Sequence, residues 1–464
     1  MDSVLERMHE PPRPRCVAHA LLRPFVICPV ATTPQKSHFR SVLSVQSVSL
    51  SVTQAAGCSS QTGASFRSPP ASTTRVFSAS ALHTSPLQLH SPSVNVTVRG
   101  RSSPYRTVEF DAAKNAVLLI EQRLLPHRFE QVAILNHRDT ARAITDMVVR
   151  GAGAIGATAA YGLAQGALEF KGTNLGRFCT HLLAVYETLK EARPTAVDPV
   201  NAMDGVLRAM SAGRTVREQQ TIAVAAARAF ADEDVAHCRE IGEHGAPLIR
   251  EGMRVLTHCN AGWLAFVDIG TATAPLYAAQ AQGRKFHVFC DETRPRCQGA
   301  SLTAWELAQQ GISHNVIADN AAGFLMQRGE IDLVIVGSDR VLGRTGEVCN
   351  KIGTYTKAVL AHRHKIPFYV AIPGSTIDWN LKSGREIPIE ERAGEEVLGA
   401  WGIAEGQTGK GKRKKGGERT YVRIANPSST ARNPGFDVTP PDLITGIITP
   451  QGIFKPKDLR KLEL

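Results

Sequence analysis

The sequence has 464 residues, of which 43% are apolar and 21% charged. This composition is ordinary for a chain with two or three globular domains. It contains no run of 18 uninterrupted apolar residues, so no membrane span is expected. The net charge of +12 comes mainly from two segments: residues 1–100 carry nine basic against three acidic residues, and 407–419 carry six against one. The rest is close to neutral and lacks the basic excess that nucleic-acid binding requires.

The nine cysteines show no CxxC pair and no regular framework. This pattern favours a reducing compartment over a disulfide-stabilised fold.

Residues 1–100 are predicted to be a disordered or targeting extension. They are rich in Ser, Pro and Thr, and they contain no acidic residue between Glu10 and Gly100. Such composition is typical of disorder and of organelle transit peptides. Arg75-Val76-Phe77-Ser78 resembles a mitochondrial processing site, and a dispensable extension is the alternative interpretation.

Residues 101–245 are predicted to form an N-terminal helical domain. Apolar residues recur at spacings of three and four, which is the helical period. The predicted helices cover Asp111–Leu124, Asp139–Val149, Leu175–Lys190 and Thr215–His237.

Residues 246–464 are predicted to form a Rossmann-like α/β domain with a doubly wound, mainly parallel sheet. Five apolar runs alternate with helical segments, and this order requires right-handed crossovers between parallel strands. The predicted strands are Arg254–His258, Lys285–Cys290, His314–Ala318, Asp332–Val336 and Pro367–Ile372, with a further strand or short helix closing the sheet within Asn433–Ile453. The low-complexity basic insert 406–419 is read as a solvated loop, with nuclear localisation or anion binding as alternatives.

Polar side chains follow the predicted strands, at the edge where open α/β sheets bind ligands. The turns contain Cys259-Asn260, Asp291–Arg294, Asp319-Asn320, Asp339-Arg340 and Pro373–Thr376. The sequence therefore predicts a functional site along this edge.

Cys259 and Asp339 are the predicted catalytic residues of that edge. A lone cysteine is more often a small buried apolar residue, but Cys259 precedes a turn expected to open a helix, where a thiolate is stabilised. Asp339 faces a predicted helix start at Asn350 and Lys351, although a loop carboxylate can equally serve as a helix cap. His258 is interpreted as a neighbour of the catalytic cysteine, and Cys290, Cys297 and Cys349 as structural.

The segment Gly151–Gly156 matches GxGxxG, the pattern of dinucleotide-binding turns. That fingerprint requires a preceding strand and a later acidic residue, whereas here a helical pattern precedes it. A phosphate-binding turn opening the helix Ala154–Gln165 beside Arg150 is favoured, and close helix packing is the alternative.

Arg193 and Arg294 each precede a proline, which favours an extended backbone. Held guanidinium groups suit phosphate or hydroxyl recognition, and a structural ion pair is the alternative for both.

Together these segments resemble the methylthioribose-1-phosphate isomerase family over residues 105–455. The motifs are VRGAGAIGATAAYG, RPTAV, LTHCNAG, ETRPRCQGASLTAWEL, IADNAAGFLM, VGSDRVLGRTGEVCNKIGTY, IPFYVAIPGST, IPIEER and NPGFDVTP. The resemblance implies homodimers, a cytoplasmic location and a fold shared with non-catalytic regulatory subunits of the translation-initiation guanine-nucleotide exchange factor.

The resemblance also implies roles for individual residues. Cys259 and Asp339 would be catalytic; the substrate-binding residues would be Arg150, Gly151, Arg193, Gln298, Asn350 and Lys351. The sequence departs from the family at Gly153, Asp198, Asn201 and Trp263, which places the 5-substituent of the sugar in question.

The implied reaction converts 5-methylthioribose 1-phosphate to 5-methylthioribulose 1-phosphate in methionine salvage. Asp339, held protonated, would protonate the ring oxygen while Cys259 handles a proton at carbon 2. This redox-neutral isomerisation requires no cofactor, and the sequence shows no metal-ligand cluster. The alternatives are isomerisation of 5-deoxyribose 1-phosphate or ribose 1,5-bisphosphate, a non-catalytic exchange-factor-like subunit, and a dehydrogenase based on GAGAIG.

Overall fold

The computed structural model describes residues 94–98, 100–193, 197–403 and 419–463. Most of the predicted extension and all but the last residue of the predicted basic insert lie outside these residues. Within the described part, no helix combines the length and apolar character needed to cross a membrane.

The described residues contain ten α-helices and eighteen β-strands, numbered in chain order. The helices are α1 His137–Thr145, α2 Ala152–Glu169, α3 Leu175–Glu191, α4 Asp198–Met210, α5 Val216–Gly245, α6 Ala274–Ala281, α7 Ala304–Gln309, α8 Ala321–Gln327, α9 Thr354–Arg363 and α10 Glu395–Leu398. The strands are β1 Asn95–Val98, β2 Arg101–Pro104, β3 Val108–Asp111, β4 Ala116–Ile120, β5 Gln131–Ile134, β6 Arg254–Thr257, β7 His287–Asp291, β8 His314–Ile317, β9 Leu333–Val336, β10 Arg340–Leu342, β11 Val348–Lys351, β12 Phe368–Ala371, β13 Ile377–Asp378, β14 Gly399–Ile403, β15 Arg419–Arg423, β16 Phe436–Thr439, β17 Gly446–Thr449 and β18 Gly452–Phe454.

The first part of the chain begins with strands. β1, which the sequence placed in the extension, pairs with β2, and β3, β4 and β5 form an antiparallel sheet. The helix predicted over Asp111–Leu124 is therefore wrong. The range holds the end of β3, a turn at Asn115, whose φ of 50° breaks any helix, and the continuous apolar run of β4. Val117 and Leu119 lie on the buried face of β4 and join the core beneath the helices.

Helices α1 to α5 follow, in agreement with the other three helices predicted in this region. The Ala- and Gly-rich α2 is buried over most of its length, because its small side chains allow neighbouring helices to approach closely. The long α5 begins with a capping box, in which Thr215 and Glu218 each satisfy a backbone N–H group of the other.

The large sheet has seven strands in the order β18-β17-β12-β9-β6-β7-β8. Every neighbouring pair is parallel except β17 and β18. All five predicted strands are confirmed within two residues at either end, and β17 supplies the predicted closing strand. An apolar core covers each face of this sheet, which makes the chain a mixed α/β protein.

The segment after β9 differs from its prediction. Asn350 and Lys351 lie in β11, which pairs antiparallel with β10 and β16, and they do not begin a helix. Helix α9 begins at Thr354, after Gly353 with a φ of 103°. The carboxylate of Asp437 caps it by accepting hydrogen bonds from the N–H groups of Gly353 and Tyr355, at 2.7 and 3.0 Å.

Candidate active site

Cys259 lies in a strained turn directly after β6. Its φ of 68° is in the left-handed region, which is unfavourable for a residue with a Cβ atom. Two hydroxyl groups hold the turn: Thr293 Oγ1 accepts a hydrogen bond from the Cys259 N–H at 2.8 Å, and Thr303 Oγ1 donates one to the Cys259 carbonyl at 2.7 Å. The predicted helix start is absent here, since a single 3₁₀ turn at Trp263–Ala265 follows.

A buried polar network lies beneath this turn. The His258 ring contacts the Asp291 carboxylate through Nδ1 at 2.8 Å and the Ile352 carbonyl through Nε2 at 2.9 Å. Each ring nitrogen thus lies within hydrogen-bond distance of an oxygen atom. Lys357 forms an ion pair with the same Asp291 oxygen at 3.1 Å. His258 therefore links the cysteine turn to the end of β11.

His258, Asp291 and Asp319 are also close enough to present three ligand atoms to a cation. However, the Asp291 oxygen that meets His258 already meets the ammonium of Lys357. Asp319 accepts hydrogen bonds from the N–H groups of Thr293 and Arg294, both at 2.7 Å. Asp291 Oδ1 is buried without a hydrogen-bond partner among the described residues. The other contacts are those of an internal ion-pair network.

Above the turn is a cleft between the helical region and the edge of the sheet. Its empty volume is about 860 Å³, including space open to solvent. Cys259 and Asp339 both line it. The other lining residues are Met147, Arg150, Gly151, Ala152, Ile155, Arg193, Val197, Asp198, Arg296, Gln298, Arg340, Cys349, Lys351, Ile387, Pro388, Arg392 and Phe436.

Cationic side chains predominate in this cleft. Five arginines and one lysine face two carboxyl groups, Asp198 and Asp339. Such a surplus of positive charge suits an anionic ligand, and a planar guanidinium group matches the geometry of phosphate.

Acidic residues behind the cleft hold several of these arginines in place. Arg392 forms ion pairs with Glu390 and Glu396, both at 2.7 Å, and Arg296 forms one with Glu396 at 2.7 Å. Arg193 lies 3.6 Å from Glu390, and its buried Nε atom has no hydrogen-bond partner among the residues that the structure describes. A buried unsatisfied donor costs free energy, so this atom is ready to bind a ligand acceptor.

Lys351 lies near both proposed catalytic residues. Its ammonium donates to the Gly435 carbonyl at 3.0 Å and lies 4.3 Å from the centre of the Phe436 ring. Burial lowers the pKa of Lys351, while its acidic neighbours Cys259 and Asp339 act in the opposite direction.

The Cys259 thiol is buried, with 7% of the residue exposed. Burial raises its pKa above the usual value, and the nearby Arg150 and Lys351 only partly offset that effect. The expected stabilisation of a thiolate by a helix start is therefore not found. The neutral thiol is the resting form, which suits a group that exchanges a proton.

Seven of the eight predicted site residues line the cleft. Gly151 does so with a φ of 94°, as the residue that precedes the first turn of α2. Asn350 is the exception: it is 4% exposed, and its amide donates to Thr354 Oγ1 at 3.0 Å.

Three of the four departures from the family pattern lie outside the cleft lining. Gly153 packs against Phe266, Trp263 is fully buried, and Asn201 is exposed on α4. Asp198 alone of the four lines the cleft.

Arg294 has a structural role. Its guanidinium donates to the carbonyl oxygens of Pro295, Val397 and Gly399 at 2.8–3.0 Å, so it binds the junction of α10 and β14. Of the two arginines that precede a proline, only Arg193 lines the cleft.

A second pocket adjoins the cleft and shares Met147, Arg150, Arg296 and Gln298 with it. Its outer wall includes Trp401 and Arg419, from the hairpin of β14 and β15. The Arg419 guanidinium lies 5.2 Å from the centre of the Trp401 ring, and Trp401 is 57% exposed.

Comparison with known proteins bears on the identity of this cleft. The model of the initiation factor 2 subunit family matches residues 148–456. The methylthioribose-1-phosphate isomerase of Sinorhizobium medicae is 48% identical over 373 residues, which cover 77% of this chain and 97% of that protein. The chain belongs to the methylthioribose-1-phosphate isomerase family.

Solved structures agree with this family. The 5-methylthioribose 1-phosphate isomerase of Pyrococcus horikoshii is 42% identical with a TM-score of 0.67, covering 77% of this chain and 95% of that one. The subunit delta of translation initiation factor eIF-2B from A. fulgidus is 39% identical with a TM-score of 0.64, covering 76% and 97%. Proteins named as enzymes and as initiation factors thus share this fold.

The family motifs also contained signals for residues that the sequence analysis missed. Arg296 lies in ETRPRCQG and Arg392 in IPIEER, and both line the cleft. Neither follows a sheet strand directly, so the rule that places ligands at strand ends could not identify them.

Proposed function

We propose that this protein is an aldose–ketose isomerase that converts 5-methylthioribose 1-phosphate to 5-methylthioribulose 1-phosphate. The observation that carries the proposal is the cleft itself, where Cys259 and Asp339 lie together among a surplus of cationic side chains. The names of the family members that the chain matches along almost their full length support the same reaction.

The substrate sets the chemical problem. Its anomeric oxygen carries phosphate, so the ring cannot open spontaneously to an aldehyde. The bond from carbon 1 to the ring oxygen must break while the phosphate stays attached. In balance, the ring oxygen gains a proton, the hydroxyl of carbon 2 loses one, and the hydrogen on carbon 2 passes to carbon 1.

Asp339 is assigned the role of the acid that protonates the ring oxygen. Cys259 is assigned the proton at carbon 2 or its hydroxyl, a role supported by its burial and neutral resting form. Arg150, Arg193 and Lys351, with the N–H groups at the start of α2, are assigned to the phosphate. Gln298 also has a buried oxygen without a hydrogen-bond partner among the described residues, and it is assigned to a hydroxyl of the sugar.

The proposal includes a homodimer. Val316 on the edge strand β8 and Phe324 on α8 are exposed apolar residues and are candidates for subunit contacts. Light scattering of the purified chain tests this part: twice the monomer mass is expected, and a monomer at micromolar concentration would overturn it.

The reaction is tested by following turnover of the full chain by proton NMR. The substrates are methylthioribose 1-phosphate, 5-deoxyribose 1-phosphate and ribose 1,5-bisphosphate, at matched concentrations. The highest kcat/KM is expected for the thio sugar. A clear preference for either other sugar would reassign the substrate. No turnover by folded protein would instead favour a non-catalytic role like that of the initiation-factor relatives.

A further inference from the structure

Asp198 is a buried acidic residue in a cleft dominated by cations. It is the first residue of α4, and 2% of it is exposed. One carboxylate oxygen, Oδ1, has no hydrogen-bond partner within the described part of the chain. The Ser375 side chain lies close enough to the carboxylate to lower its pKa.

A helix-capping role does not account for this placement. A carboxylate in a first helical turn is also stabilised by the helix dipole where it is exposed to water, so that stabilisation does not require burial. Burying it while leaving one oxygen unsatisfied costs free energy, so a partner for that oxygen is expected in the functional state.

The charge of Asp198 indicates the chemical class of that partner. A carboxylate repels phosphate, which the cations of the cleft attract. Burial and the neighbouring Asp339 raise the pKa of Asp198 to about 6, with Ser375 and Arg340 opposing, so the group is mainly ionised at neutral pH. An ionised carboxylate accepts hydrogen bonds and donates none, so its partner must be a donor.

We propose that Asp198 is a specificity-determining residue that accepts a hydrogen bond from a non-reacting hydroxyl group of the substrate sugar. This inference rests on the proposed function, because only that function places a sugar in the cleft. Asp198 is not among the substrate-binding residues that the family motifs imply. The proposed substrate has hydroxyl groups on carbons 2 and 3 only. The hydroxyl of carbon 2 reacts, so the hydroxyl of carbon 3 is the expected partner of Asp198.

The test is a double comparison of enzyme and substrate. kcat/KM is measured for the wild type and Asp198→Ala on methylthioribose 1-phosphate and on its 3-deoxy analogue. A hydrogen bond to a charged acceptor predicts a loss of about tenfold to a hundredfold for the variant on the hydroxylated sugar. The loss on the 3-deoxy sugar is expected to be less than about threefold, since the interaction is already absent there.

Asn201→Ala serves as the matched control. Asn201 lies on the same helix but is exposed and outside the cleft, so both substrates should retain wild-type kcat/KM. If Asp198→Ala does not fold, Asp198→Asn provides the same comparison with an isosteric side chain and a smaller expected loss.

Equal losses on the two sugars, or no loss on either, would overturn the proposal. Neither result affects the proposed function, which depends on turnover by the wild type alone. Conversely, an inactive wild type would remove both.

Discussion

The N–H group of Cys259 donates a hydrogen bond to Thr293 Oγ1, and both residues have positive φ angles, of 68° and 63°. Two strained turns on neighbouring strands thus hold each other in place. Strain of this kind persists only when its surroundings over-determine it, and it concentrates at functional sites.

Replacing Thr293 by Val should test that coupling. Thr293 is fully buried, and the substitution removes the acceptor of the Cys259 N–H while keeping the branched shape. We expect a loss of about 1–3 kcal/mol in the free energy of unfolding, and a fall in kcat larger than any rise in KM. Thr293→Ser keeps the hydroxyl and should restore most of both; similar damage from both variants would contradict the hydrogen-bond explanation.

Replacing Asp339 by Asn should remove the proposed acid. The side chain keeps its shape, so the thermal unfolding temperature should change little. Turnover should fall by about 10²- to 10⁴-fold, the range typical of a lost general acid. Near-normal turnover would assign ring opening to another group.

Lys351→Met is predicted to make the Cys259 thiol less reactive. The Lys351 ammonium lowers the pKa of the Cys259 thiol, whereas burial raises it. Removing the ammonium should therefore raise the pKa of the thiol further. The thiolate is the reactive form, and the alkylation rate at a given pH should therefore fall.

Iodoacetamide labelling over pH 7–10, with modification of Cys259 quantified by mass spectrometry, measures this rate. Cys297, which is only half-buried, is the internal reference. Faster labelling of Cys259 in the variant would show that access outweighs charge.

Asp234 should make stability depend on pH. Burial raises the pKa of Asp234 to about 7, with Asp198 and Asp268 adding to the effect and a hydrogen bond from Val267 opposing it. The folded state then holds its proton more tightly than the unfolded state, and stability from this group is lost as pH rises from about 4 to about 7.

Asp234→Asn should therefore gain stability relative to the wild type over that interval. The gain is expected to be about 1–4 kcal/mol by pH 8 and close to zero at pH 4. Urea unfolding at both pH values measures it. Asp232→Asn is the control, because Asp232 is largely exposed and pairs with Arg106 at the surface. A wild type and variant with parallel pH profiles would rule out the effect.

Gly153→Ala should destabilise the chain. A Cβ atom at this position would lie 2.4 Å from Phe266 Cδ1 and 2.5 Å from Asp234 Oδ1. We expect a loss of about 1–3 kcal/mol in the free energy of unfolding from overpacking.

Gly205→Ala is the matched control for that substitution. It also lies within a helix, but the nearest atom to its Cβ would be Arg208 Nη2 at 3.9 Å. Better helix propensity should stabilise this variant by about 0.5–1 kcal/mol. Equal effects of the two substitutions would mean that packing at Gly153 is unimportant.

The parallel sheet was predictable because each of its main strands is a short apolar run bounded by turn residues. The structure of Asp111–Leu124 was not predictable, because periodicity alone cannot distinguish a short apolar run such as that of β4 from a buried helix segment. β11 was missed for a related reason: Asn350 and Lys351 are poor strand formers, and their conformation depends on pairing with β16, some 85 residues away in the sequence.

The candidate site was predictable to a similar degree. Cys259 and Asp339 follow strands, where local pattern and the geometry of parallel sheets place ligands. The positions of Arg296, Arg392 and Asp198 depend on how loops and helices from distant segments fold over that edge. The raised pKa of the Cys259 thiol likewise depends on burial by all of them, which no local pattern contains.

The hairpin beside the cleft gives the molecule an intrinsic optical probe. Of its four tryptophans, Trp263 is fully buried and Trp305 and Trp379 are partly covered, whereas Trp401 is largely exposed next to a guanidinium group. Its emission should therefore lie furthest to the red and be the most accessible to iodide quenching. The pocket of Trp401 shares Arg296 and Gln298 with the cleft. A sugar phosphate that moves either residue should therefore change Trp401 fluorescence, so binding can be followed without an attached label.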